Sequence, residues 1–263
     1  MTRTSRSIRP RLVAWVLPLA LASSALAADF SREQLVQMLA QPHSERPALD
    51  GKDLSDLDLS RLDLQRTSLR GANLFGSKLV SADLRGADFS GANLNGAWLM
   101  GADFTGADLR SASLLSAVVL GGEVRKMPIF RNADLRGARM IADLPAADLS
   151  GANLGKAHIG VEIRNQGMGQ MRTDLTGANL AGANLEGADV NRTLLSFANL
   201  RNSNLRGTNF FRAKLAGADL TGADLTGADF TEADLAATIL RDVKGLAEAK
   251  GLDRAANLDQ AVR

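Results

Sequence analysis

The chain has 263 residues, 45% of them apolar but only 4% aromatic, with no cysteine and no tyrosine. The missing cysteine removes disulfides, thiol catalysis and thiolate metal sites together, and a core so poor in aromatics must be built from Leu, Ala and a few Phe. Four of the 31 Lys+Arg fall in the first eleven residues; without them 27 stand against 29 Asp+Glu, so the basic pI is no sign of nucleic-acid binding.

Those four cations (Arg3, Arg6, Arg9, Arg11) precede an apolar run from Leu12 to Leu21 and a small-residue stretch ending Ala25-Leu26-Ala27. A basic start, a short apolar middle and an A-x-A site predict a secretory signal peptide over residues 1–27. The run is too short to span a bilayer, which needs ~20 residues. No Cys follows the site and no Arg-Arg pair precedes the run, so ordinary export to the periplasm or medium is expected, not a lipoprotein or twin-Arg route. The mature chain would then be slightly acidic.

Residues 28–50 read as an N-terminal capping helix and linker. Ser31-Arg-Glu-Gln34 is a capping box ahead of Leu35, Val36, Met38 and Leu39. It predicts a short amphipathic helix from about Arg32 to Ala40, ended by Pro42 and Pro47.

From Leu54 an apolar residue recurs every five positions to Leu114, and again from Leu175 to Leu240. Two residues before most of these stands a small one, as at Ala72, Ala82, Ala178 and Ala223, with Asp or Asn between. Period five fits neither a helix nor a strand, so it belongs to a larger repeating object. These residues resemble the pentapeptide-repeat family, whose motif is A(D/N)LXX. The resemblance implies an all-β fold: a right-handed quadrilateral β-helix with four five-residue faces per coil, over residues 51–243. Leu and the Ala two before it then share the inner side, and Asp or Asn points out. Gly and Ser tolerate the corners. Coils stack at ~4.8 Å, which sets each Leu over the one twenty residues earlier and Phe210 against Phe230. The rows of Asp and Asn read as turn and surface chemistry in preference to a cation site, because these side chains favour turns.

The beat is irregular at 116–132 and 160–172. Leu114 to Leu135 is one residue more than a coil, Met140 to Leu144 one fewer than a face, and Ile159 to Leu175 one more than three faces. Single-residue bulges and a shortened face give an unbroken rod of ~45 Å; loops leaving the rod give about seven coils on the same spacing. The stretches beginning at Glu123 and Glu162 look alike, and face counting sets them on one side two coils apart. Glu123, Arg125, Arg131, Glu162, Arg164 and Arg172 are therefore a candidate charged patch for a partner, against the plainer reading of paired surface charges. Phe75, Val80, Met100, Leu115 and Leu120, with Trp98 and Val118, fall outward on two adjacent faces and form a candidate apolar contact. Arg70, Arg85, Arg110 and Arg125 fall on the other two, as a solvated basic side or a seat for an anionic partner.

Residues 244–263 lose the beat. Leu246, Ala249 and Leu252 have helical spacing, so this C-terminal stretch reads as one or two capping helices, or as a tail that closes a dimer. His43 and His158 lack a second ligand at metal spacing, "GMGQ" from Gly167 is no phosphate loop, and no carboxylate pair stands out for glycan chemistry. No cofactor and no metal are expected. The sequence points to a non-enzymatic exported scaffold that binds a macromolecule of the cell envelope through its flat faces, with homodimerisation allowed. The rivals are a periplasmic enzyme acting on a polymer and a rod-pairing module. Some pentapeptide-repeat proteins mimic duplex DNA and protect topoisomerases, a role that suits this weakly charged, exported chain poorly.

Overall fold

The computed structural model describes residues 28–42, 48–119, 126–161 and 172–263. Parallel pairing runs through it in four columns. Face 1 joins Asp53, Asn73, Asn93, Ser113, Arg139, His158, Asp189, Asn209, Asp229 and Lys250. Face 2 runs from Asp58 through Lys78, Trp98 and Val118, then from Asp143 and Asp174 to Ala256. Face 3 runs from Asp63 through Asp103, Ile129 and Asp148 to Val262, and face 4 from Ser68 through Asp108, Asp134 and Asn153 to Lys244. The chain is a four-sided solenoid. With ten positions on face 1, it is ~43 Å long at the usual strand spacing.

The local chemistry repeats at each step. The inward Leu donates its N–H to the outward Asp of the next coil, as Leu215 to Asp234 (2.9 Å), while Asp234 donates back to Ala213 (2.9 Å). Each corner closes when an inward Ala donates to the Leu three residues earlier, as Ala218 to Leu215 (2.9 Å). The residue before that Ala has positive φ, +69° at Gly217, which is the third position of a type II turn. The outward Asp or Asn braces the corner by accepting the N–H two residues on: Asp219 Oδ1 takes Thr221 N at 2.9 Å. Asn side chains also link coils, Asn93 Nδ2 donating to Asn73 (3.0 Å) and Asn73 Nδ2 to Asp53 (2.9 Å). Corner and surface work thus occupies these residues, as their turn preference implies.

The core is one continuous column of inward Leu, Phe and Ala, all buried. Phe210 and Phe230 stack at 5.0 Å with 6° between their planes, and Phe104 and Phe130 at 5.0 Å. Helix α1 spans Arg32–Leu39 with both halves of the Ser31–Gln34 capping box formed. Its Leu35 and Leu39 join the core, and Arg32 donates to the carbonyls of Asp58 and Ser60. Among the described residues no helix is long and apolar enough to cross a membrane.

The irregular middle combines both readings. Strands β1 (Ser113–Ala117) and β2 (Arg139–Ala142) pair in parallel, with Leu115 opposite Ile141 but Ala117 opposite Ala142. That is the shortened face between Met140 and Leu144. The other two slips are larger than single-residue bulges. Leu109 bonds to Asp134, and Leu114 pairs with Met140, so Leu135 stands on Leu109's face and not on Leu114's. Val118 and Ile129, on adjacent faces, are eleven residues apart where five is usual. His158 and Asp174, on faces 1 and 2, are sixteen apart. Pairing resumes at Ile129 and at Asp174, so the coil count continues.

After Val243 the chain keeps pairing instead of forming amphipathic helices. Lys244, Lys250, Ala256 and Val262 bridge to Asp224, Asp229, Asp234 and Ile239. The period is now six. The added residue is taken up by single 3-10 turns at Leu246–Glu248, Leu252–Arg254 and Leu258–Gln260, each opened by a left-handed residue (Gly245, Gly251, Asn257). Leu246, Leu252 and Leu258 tuck against the core from this wider last coil.

Candidate functional site

Faces 3 and 4 carry guanidinium–carboxylate pairs. Arg85 meets Asp83 at 2.6 Å, Arg110 meets Asp108 at 2.5 Å, and Arg136 meets Asp134 at 2.6 Å, while Arg70 lies between Asp50 (3.4 Å) and Asp88 (3.6 Å). The bonds from Arg110 hold the Asp108 carboxyl below its ordinary range. Arg70, Arg85 and Arg110 therefore sit where counting put them, but as halves of exposed ion pairs worth at most ~1 kcal/mol each. Arg125 lies outside the described residues.

The corner between faces 1 and 2 is different. In the first coils it shows Phe75 at 51% exposure, followed on face 2 by Trp98 at 38%. The Lys78 ammonium lies 5.8 Å from the Trp98 ring centre, and Val80, Leu115 and Val118 are half-buried around them. Met100 is a correction: expected outward, it is only 3% exposed. The next residue, Gly101, donates to Lys126 at 2.7 Å. Lys126 belongs to the lengthened passage between Val118 and Ile129, so a longer chain crosses beside Met100 than five-residue counting allows. Leu120 lies outside the described residues.

Of the expected charged patch, Glu123, Arg125, Glu162 and Arg164 lie outside the described residues. The other two are not brought together. Arg131 follows Phe130 on face 3 and pairs with Asp148 at 2.5 Å. Arg172 precedes Thr173 at the corner of faces 1 and 2, across the rod. The described residues on either side of the two lengthened stretches are Val118 and Ile129, on faces 2 and 3, and His158 and Asp174, on faces 1 and 2.

Arg172 instead lines a cleft of about 220 Å³ with Arg192, Arg212, Lys214 and Glu232. Sequence reading missed these partners, although the spacing of twenty from Arg172 to Arg192 to Arg212 was legible. Arg212 Nε donates to Glu232 at 2.6 Å, Arg254 reaches the same carboxylate at 3.4 Å, and Lys214 meets Asp234 at 3.4 Å. Such a cleft can hold an anion. A second, shallower hollow of about 620 Å³ opens on face 4 where Gly155 leaves no side chain between Arg136 and Glu186. Phe197, 70% exposed, was also missed: it takes φ +60° at a corner, with its ring over Gly217. His158 is exposed on face 1. Among the described residues no His, Cys, Asp and Glu gather as a metal site.

The family profile described as pentapeptide repeats matches residues 53–91, 87–117, 173–210 and 208–244, in eight copies. No curated protein sequence matches the chain. Among solved structures, it is similar to HetL, a pentapeptide repeat protein involved in heterocyst differentiation regulation in the cyanobacterium Nostoc sp., at 30% identity over 80% of this chain and 86% of that one (TM-score 0.38). A pentapeptide repeat protein of the Arabidopsis thaliana thylakoid lumen matches at 29% identity over 48% and 75% (TM-score 0.27). Full-length QnrB1, a plasmid-mediated fluoroquinolone resistance protein, matches at 21% over 76% and 89% (TM-score 0.29).

Proposed function

The chain belongs to the pentapeptide-repeat family, and from that premise we propose that it is a non-enzymatic exported scaffold that binds a protein of the cell envelope along the corner of faces 1 and 2. One observation carries this: among the described residues Phe75 and Trp98 are exposed on successive coils of one corner, whereas the other exposed large apolar side chains, Val36, Phe197 and Val262, stand elsewhere on the rod. An exposed apolar patch of this kind marks a contact surface. The basic start, apolar run and Ala-Leu-Ala site support export. We read the coil as right-handed, the hand of nearly all parallel β crossovers, with α1 and the six-residue coil covering its two open ends.

A photo-crosslinking side chain at Phe75 tests the reading, with one at Ser90, on face 4, as control. In envelope extract the Phe75 probe should give a discrete adduct that Trp98→Asp abolishes, and the Ser90 probe none. Equal labelling at both positions would reject the assignment. Light scattering of wild type and Trp98→Asp identifies the adduct if it is a second copy: only self-pairing makes the wild type dimeric and the variant monomeric.

A further inference from the structure

The corner that exposes Phe75 and Trp98 changes character along the rod. In the first coils it is held by Asp56, Gly76, Gly96 and Ser116. Further on, Arg172, Arg192 and Arg212 occupy it on three successive coils, in step with the pairing of Asp174 with Leu194 and Leu194 with Lys214. Successive guanidinium groups are thus rooted ~4.8 Å apart. Arg192 and Arg212 sit at φ +57°, a left-handed conformation that glycine takes freely. The cleft is lined by four cations and one carboxylate, so the corner is cationic as a whole. Its upper end already displays a bound carboxylate: Glu232, held by Arg212 at 2.6 Å and by Arg254 at 3.4 Å. The Phe211 ring lies 4.9 Å from the Arg212 guanidinium and braces it.

We propose that this cleft binds the carboxylates of an acidic peptide segment, which the Arg172–Arg192–Arg212 column grips as Arg212 already grips Glu232. Guanidinium groups suit carboxylates because their planar donor forks match two oxygens at once. The occupant is a peptide because the rod is read as a protein-binding scaffold and the cationic cleft stands on the same corner as its apolar contact. Face 2 places Trp98 three coils below Asp174, hence ~14 Å from the cleft. An extended peptide covers that distance in about four residues. The expected partner therefore carries Glu or Asp about four residues from a large apolar side chain. This inference rests on the reading of the rod as a protein-binding scaffold and adds the chemistry of what it binds.

The test uses the full chain and three fluorescein-labelled peptides followed by anisotropy. The first has four glutamates, the second four glutamates, four alanines and a tryptophan, and the third is the second with glutamine for glutamate. Both glutamate peptides should bind at least tenfold more tightly than the glutamine peptide, and more weakly as salt rises. Arg172→Gln with Arg192→Gln should weaken both glutamate peptides about tenfold. Arg172→Gln alone, at an exposed position, should give a smaller loss of the same kind and serves if the double variant fails to fold. Equal binding of glutamate and glutamine peptides overturns the proposal, as does indifference to the Arg172 variants. Displacement by inorganic phosphate at a lower concentration than by glutarate overturns the carboxylate assignment. Trp98→Asp separates the two readings. It should weaken only the tryptophan peptide; if it weakens neither, the scaffold contact at Trp98 fails while the cleft stands.

Discussion

Replacing Gly251 and Gly227 by Ala, separately, isolates what holds the last coil in place. Both glycines have nearly the same φ, +69° and +70°, so both variants pay ~1–2 kcal/mol for a left-handed non-glycine residue. About 0.5–1 kcal/mol of that returns because glycine loses more backbone freedom on folding. A Cβ at Gly227 meets nothing within 4 Å, so this variant should lose ~0.5–1 kcal/mol in all. A Cβ at Gly251 would lie 2.1 Å from Thr231 Oγ1, 2.6 Å from its N and 2.7 Å from its Cα. The hydroxyl can rotate away; the backbone cannot. The closeness follows from the six-residue face, which slides the corner of the last coil off the corner below and onto the residue before it. Restoring ordinary contact moves the last coil back by about 0.7 Å. That stretches the Phe230 N–H bond to Lys250 (2.8 Å) and the Lys250 N–H bond to Ala228 (2.7 Å) to the edge of usefulness. At ~1 kcal/mol each, the total for Gly251→Ala is ~2.5–3 kcal/mol. Each coil touches only its neighbours, so the damage should stay at that end. Hydrogen exchange reads it directly. The amides of Phe230, Leu235 and Leu240, which donate to Lys250, Ala256 and Val262, should exchange about 30-fold faster in Gly251→Ala than in Gly227→Ala. Leu180 and Leu185 should be unchanged in both. Equal effects from the two variants, or faster exchange throughout the rod, would refute the argument.

Two further outcomes follow from the core and the faces. Ser77 is buried at an inward position and its Oγ has no hydrogen-bond partner, whereas Thr208 Oγ1 donates to Leu185 O at 2.8 Å. Ser77→Ala should stabilise by ~1 kcal/mol and Thr208→Ala destabilise by ~1 kcal/mol in urea unfolding; the reverse order would show that the inward hydroxyls are satisfied differently. On face 2, burial and then the Asp174 charge raise the Asp143 carboxyl above its ordinary value of 3.8. A carboxyl raised in the fold gives stability that is present below its unfolded value and is lost as pH rises through its folded one. Asp143→Asn should therefore raise Tm at about pH 7 and not at about pH 3. Asp224 and Asp234 are lowered, by hydrogen bonds from Thr226 and Asn257 first. Their contribution is present above about 3.8 and is lost as pH falls through their folded values, so the wild type should melt lower at about pH 3 than at about pH 6. In the Asp143→Asn background, which removes the opposing carboxyl, a flat Tm across that range would contradict the Asp224 and Asp234 assignments.

The sequence by itself determined every feature that depends on neighbours along the chain. Inward Leu alternates with outward Asp because successive side chains of an extended segment face opposite ways, and a corner every five residues makes twenty a coil. From this alone Phe210 could be set against Phe230. The α1 cap was legible for the same reason, since Ser31 and Gln34 bond within four residues. Only the tertiary structure decided which coil lies on which once the beat is broken. Residues absorbed at a corner leave the pattern on either side intact, so the letters cannot say whether Leu114 stands under Leu135 or Met140; hydrogen bonds between coils choose Met140. The same choice buries Met100 and parts Arg131 from Arg172. It also makes the C-terminal Leu residues part of a six-residue coil. Their spacing suits a short helix equally well, and the free carbonyls and amides of the coil below settle the matter by pairing with Lys250, Ala256 and Val262.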